Sequence, residues 1–147
     1  MHRFIMAILL LLTACNSVYM QPGTMEPGSV VYARPGGYSM KRSIKDSMTE
    51  RGYDVRVGKL RKIYGEDSDK EQLELPGNTK YIVRVNEKNE LFMPWWCMFN
   101  GIWWWRFSVS ITDQKTGTEI LSWRGRGCQN SSLRKLNDIL DKLEHKE

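Results

Sequence analysis

Residues 102–113 read Ile-Trp-Trp-Trp-Arg-Phe-Ser-Val-Ser-Ile-Thr-Asp, and their alternation constrains the fold more than anything else in the chain. Trp103, Trp105, Phe107, Val109 and Ile111 share one side of an extended segment. Trp104, Arg106, Ser108, Ser110 and Thr112 share the other. Because a one-residue slip in a strand moves every side chain to the opposite side, the first set must meet a core. Asp113-Gln-Lys-Thr-Gly117 reads as a hairpin turn with Gly117 placed for positive φ. Thr118 opens a return strand through Ile120, Leu121 and Trp123 to Arg126. Centring that hairpin on Lys115 sets Ile102 opposite Cys128.

The remaining elements follow from spacing. Ser29-Val-Val-Tyr-Ala33 is a short β run stopped by Arg34-Pro35-Gly36-Gly37. Ser39 is placed to cap a helix with Met40, Ile44 and Met48 on one stripe and Gly52 as its stop. Tyr53, Val55 and Val57 alternate with polar neighbours, and Tyr81, Val83 and Val85 repeat the pattern. Residues 66–79 read as an acidic loop, and residues 91–101 as an irregular aromatic segment around Pro94. A last helix, capped by Asn130, Ser131 or Ser132, carries Leu133, Leu136, Ile139, Leu140 and Leu143, with Asp138 and Lys142 as an i, i+4 pair. The order β-α-β-β-β-β-α predicts an α+β two-layer sandwich, a mostly antiparallel sheet with two helices on one face. A length of 147 residues with 41% hydrophobic content suits one such domain and excludes a multidomain enzyme or a largely disordered chain.

The amino terminus carries an address. His2 and Arg3 precede nine unbroken apolar residues, 4–12, too few for the roughly 20 needed to span a bilayer but right for a signal-peptide core. The run ends in Leu12-Thr13-Ala14-Cys15, which resembles the bacterial lipobox. The resemblance implies removal of residues 1–14 and acylation of Cys15 with chains of the palmitate class. The alternative is an ordinary secretory signal with a chance cysteine. Asn16, where an Asp commonly means inner-membrane retention in Gram-negative lipoproteins, favours an outer-membrane lipoprotein facing the periplasm. Residues 16–28, with two Pro and two Gly, read as a flexible tether following Cys15, and residues 29–147 as the single folded domain. From Ser29 onward, the element order and the Asp113-x-x-Thr-Gly117 turn resemble small periplasmic lipoprotein domains of the TolB amino-terminal and curli-assembly type.

With Cys15 assigned to lipid, Cys97 and Cys128 are expected to pair as a disulfide in an oxidising envelope. As a metal site they lack nearby His partners. No cofactor is implied. Lys+Arg 22 against Asp+Glu 17 gives a formal charge of +5, mildly basic and without the clustering of a nucleic-acid binder. The one histidine beyond the leader, His145, lies at a helix end too frayed to serve a nucleophile, so no enzyme is predicted. The acidic stretch from Asp67 lacks the sixth-position Gly and twelfth-position carboxylate of a calcium loop. Arg34, Lys41 and Arg42 flank a Gly-rich turn that is either an anion site or a plain βα connection. Trp103, Trp105 and Trp123 are expected in the core. Trp95, Trp96, Phe99 and Trp104, with Arg106, form the candidate partner-binding set. Three readings stand for it: a lid over the sheet pinned by Cys97, a docking patch for an envelope protein, or a platform for glycan or the membrane interface.

Overall fold

The computed structural model describes residues 16–34, 40–58, 60–63, 70–73, 77–89 and 94–145. Their elements run β1 (Ser17–Met20), β2 (Val30–Ala33), α1 (Met40–Glu50), β3 (Asp54–Val57), β4 (Leu60–Ile63), β5 (Lys70–Leu73), β6 (Tyr81–Asn89), a 3-10 turn (Trp95–Phe99), β7 (Trp104–Asp113), β8 (Glu119–Cys128) and α2 (Gln129–Glu144). Six strands form one mixed sheet in the order β1-β8-β7-β6-β2-β3, and β4 and β5 pair separately. The β6–β7–β8–β1 half is antiparallel, whereas β2 runs parallel to both β3 and β6. The β2–β3 pair is parallel because α1 lies between them, and a strand that returns in the same direction needs a crossover. The α+β sandwich is as expected.

Both helices cover one face. Met40, Ile44 and Met48 of α1 and Leu136, Ile139, Leu140 and Leu143 of α2 meet Val83, Trp105, Phe107, Val109, Ile111, Leu121 and Trp123 in a single buried cluster. Trp105 and Trp123 are 2% and 1% exposed, and the Phe107 and Trp123 rings meet edge to face with centroids 4.4 Å apart. Beside them, a Cβ on Gly125 would stand 2.9 Å from the Phe107 ring, so the strand must carry a glycine there. Helix α1 ends as the sequence predicts. Gly52, at φ 86°, donates to the Thr49 carbonyl while Tyr53 N–H donates to that of Met48, which satisfies two carbonyls the helix would leave open. Arg51 then reaches α2, pairing with Asp141 at 2.5 Å and Glu144 at 3.3 Å. Beneath this bridge, burial and the neighbouring Glu144 carboxylate push the Tyr53 hydroxyl well above the usual tyrosine range.

The structure departs from the sequence reading in five places. Residues 17–20, expected in a tether, form edge strand β1 against β8, and Met25 is buried in the core. Backbone bonds from Gly23 to Lys142 and from Met25 to Leu143 fasten this segment to α2. Residues 70–73 of the expected acidic loop are strand β5, whose partner β4 offers only polar and scattered apolar residues as a signal. A turn centred half a residue later, between Lys115 and Thr116, and a β-bulge between Ile111 and Thr112 together set Trp104, not Ile102, opposite Cys128. Helix α2 starts at Gln129, ahead of the three expected caps, and Ser131 Oγ instead donates to the Cys128 carbonyl. Trp103, expected in the core, is 58% exposed because β7 begins only at Trp104.

Candidate docking surface

The 3-10 turn at residues 95–99 turns one residue inward and the rest outward. Cys97 is fully buried and bonded to Cys128, with Cα atoms 5.3 Å apart. Its backbone is a hub: the N–H donates to the Pro94 carbonyl, while its own carbonyl accepts from Asn100 at 2.9 Å and from Ile102 at 2.8 Å. The loop is then tied to the start of α2, where Gln129 N–H donates to Trp103 and Asn130 N–H to Asn100. At Gly101 the φ of 96° and a Cβ position 2.8 Å from Gln129 Cβ both call for glycine. Ile102 holds φ 62°, a conformation costly for a β-branched residue, on the order of 1–3 kcal/mol. The disulfide and these five bonds hold it there.

What the turn presents is apolar. Phe99 is 87% exposed and Trp95 73%, and Trp96, Met98, Ile102 and Trp103 are each more than half exposed. Trp95 and Trp96 stand edge to face, centroids 6.0 Å apart. The lid reading is therefore overturned: Cys97 pins the segment, but its aromatic side chains face solvent rather than the sheet. Trp104 does turn away from the core and is half-buried, and Arg106 follows it on the same side, exposed.

That side of the sheet carries a second feature, which the sequence reading found only at Arg106. Lys88, Arg106 and Arg126 are direct cross-strand partners on β6, β7 and β8. The next row toward the hairpin is Asn86, Ser108 and Arg124, followed by Arg84, Ser110 and Ser122. The first two of these rows line an open concavity of about 500 Å³. The signal was present: Arg84 and Lys88 share the polar parity of β6, as Arg124 and Arg126 share that of β8. Only the strand order brings the two strands to either side of Arg106.

The other candidates separate. Lys41 N–H donates to Glu87 Oε2 at 3.1 Å, so the amino-terminal end of α1 takes a carboxylate from β6. The Gly-rich turn between Arg34 and that helix lies outside the described residues, as do Cys15, the leader and residues 67–69 of the acidic stretch. His145 sits exposed at the end of α2, its ring nitrogen 3.0 Å from the Asp141 carbonyl. Among the described residues, no three His, Cys, Asp or Glu side chains cluster as a metal site, and no helix is long and apolar enough to cross a membrane.

No protein-family model matches the chain, and no curated protein matches it. Solved structures do. The dodecamer of a PelC point variant from Paraburkholderia phytofirmans superposes with a TM-score of 0.50 at 12% identity, over 90% of this chain and 98% of that one. A PelC dodecamer from the same organism in a second crystal form gives 0.49 at 11% identity, over 90% and 99%. A PDZ domain protein from Parabacteroides distasonis gives 0.39 at 10% identity, over 96% of this chain and 39% of that one. At these identities the likeness is one of fold. None of the three is of the TolB amino-terminal or curli-assembly type.

Proposed function

We propose that the chain is a lipid-anchored lipoprotein of the cell envelope that acts as a non-enzymatic docking or assembly subunit, with the aromatic turn as its contact surface. The observation that carries this reading is the rigid exposure of Trp95, Trp96, Phe99 and Trp103 on a backbone fixed by a disulfide and strained at Ile102. Exposed apolar bulk that is held in place, rather than left to collapse, is how protein-contact hot spots are built. The likeness in fold to PelC, itself a dodecamer, is compatible with an assembly role.

Placement favours a partner seated at the same membrane. Ser17 pairs with Arg124, so the chain enters β1 heading from the Cys128 end of the sheet. Asn16 follows Cys15 directly, and Cys128 lies four residue steps along β8 from Arg124, roughly 13 Å. Asn16, the first described residue, thus lies against the sheet beside Gly125 and not at the end of a thirteen-residue tether that could span roughly 45 Å. The rival reading, a peptidoglycan- or glycan-binding module, draws on the same Trp pair as a stacking platform. Affinity capture of the full chain from detergent-solubilised membranes distinguishes them. A stoichiometric envelope protein, lost on Trp96→Ala with Phe99→Ala, is the expected result. Retention on protein-free peptidoglycan, lost in the same variant and without a protein partner, would replace docking by glycan binding.

A further inference from the structure

We infer that the open face of β6, β7 and β8 is a binding site for an acidic glycan, separate from the aromatic turn. Like charges directly opposite one another across strands destabilise a sheet, yet Lys88, Arg106 and Arg126 occupy one row across three strands. Arg124 lines the same concavity, and Arg84 lies on the same face one row further on, so five cations share this surface. Arg84, Lys88 and Arg124 form no ion pair with a described residue. Glu87, also at the rim, turns the other way and serves α1. Among the described residues, the nearest carboxylate in register on this face is Glu119, beside Thr112 at the hairpin end. An anion on this face would compensate the charges of Arg84, Lys88 and Arg124.

The neutral residues name the class of anion. Asn86, Ser108, Ser110 and Ser122 fill the positions between the charges and offer hydrogen bonds suited to hydroxyl groups. Trp104, half-buried one row beyond Arg106 and opposite Cys128, adds an aromatic edge. Neighbouring strands place the cations about 4.8 Å apart, close to the length of one sugar in an extended chain, so a polymer with one carboxylate per sugar meets one cation per strand. A lipid headgroup layer suits the face less, because no large apolar side chain is exposed within its β6–β8 rows.

The test is calorimetric titration of the detergent-solubilised full chain with a defined oligogalacturonate, beside a neutral malto-oligosaccharide and phosphatidylglycerol vesicles. Oligogalacturonate should bind, weaken as salt rises from about 50 to about 200 mM, and lose about tenfold or more in affinity in Lys88→Gln with Arg124→Gln. The malto-oligosaccharide should not bind. Trp96→Ala should leave oligogalacturonate binding unchanged, which separates this site from the docking surface. The Lys88→Gln, Arg124→Gln protein should melt at or above the wild-type temperature, since it removes repulsion. No binding of oligogalacturonate, binding undiminished in that variant, or vesicle binding through Lys88 and Arg124 that oligogalacturonate does not displace would overturn the inference.

Discussion

Replacing Cys97 and Cys128 together by alanine is expected to lower the thermal midpoint by roughly 10 °C and to abolish partner capture. The bridge closes a loop with a sequence separation of 31. On the chain-entropy account, that closure contributes about 3–4 kcal/mol by restricting the unfolded chain, a sizeable share of a typical stability of about 5–15 kcal/mol. The functional loss has a separate origin. Cys97 is the one inward residue of the 3-10 turn, and its carbonyl accepts the Ile102 N–H that fixes the strained exit. Without the bond to β8, the strain at Ile102 favours rearrangement, and the aromatic side chains no longer share one surface. Scanning calorimetry of wild type with and without reductant checks the first part, because reduction should reproduce the shift of the variant. A shift below about 2 °C would show that the bridge does not hold the turn.

Cys15→Ala is expected to move essentially all of the protein out of the membrane fraction or to leave it as uncleaved precursor. Each buried CH₂ of an acyl chain contributes about 0.8 kcal/mol, so two or three chains make release negligible, and their loss leaves nothing of similar strength. The consequence reaches beyond location. Because β1 is paired with β8 from Ser17 onward, the anchor would orient the sheet end as well as tether it. Fractionation together with intact-mass measurement reads the outcome: wild type should carry the acyl mass on Cys15. Membrane-bound, acylated material from Cys15→Ala would contradict the lipobox reading.

Much of this architecture was legible from periodicity. The alternation from Trp105 to Ile111 and the stripes Met40–Ile44–Met48 and Leu136–Leu143 were strong because each buries a full face, and nothing else satisfies their spacing. Strand β1 was not legible. Ser17-Val-Tyr-Met20 is short, lies between a cysteine and a Pro-Gly pair, and becomes a strand only because β8 offers it an open edge. Trp103 was misplaced by extending the alternation two residues too far, back to Ile102, whose positive φ resets the parity. The aromatic cluster was visible in the sequence, but its exposure was not, because that depends on the disulfide drawing Cys97 alone inward. The cationic rows depend on strand order, which no single segment encodes.

Site-specific photocrosslinking in living cells tests the central claim most directly. With a benzophenone side chain at Phe99, the most exposed residue of the turn, ultraviolet light should yield a discrete protein adduct that Trp96→Ala greatly diminishes. The same probe at Asp138, on the exposed side of α2, should yield none. No adduct at Phe99, or equal adducts at both positions, would contradict docking through the aromatic turn.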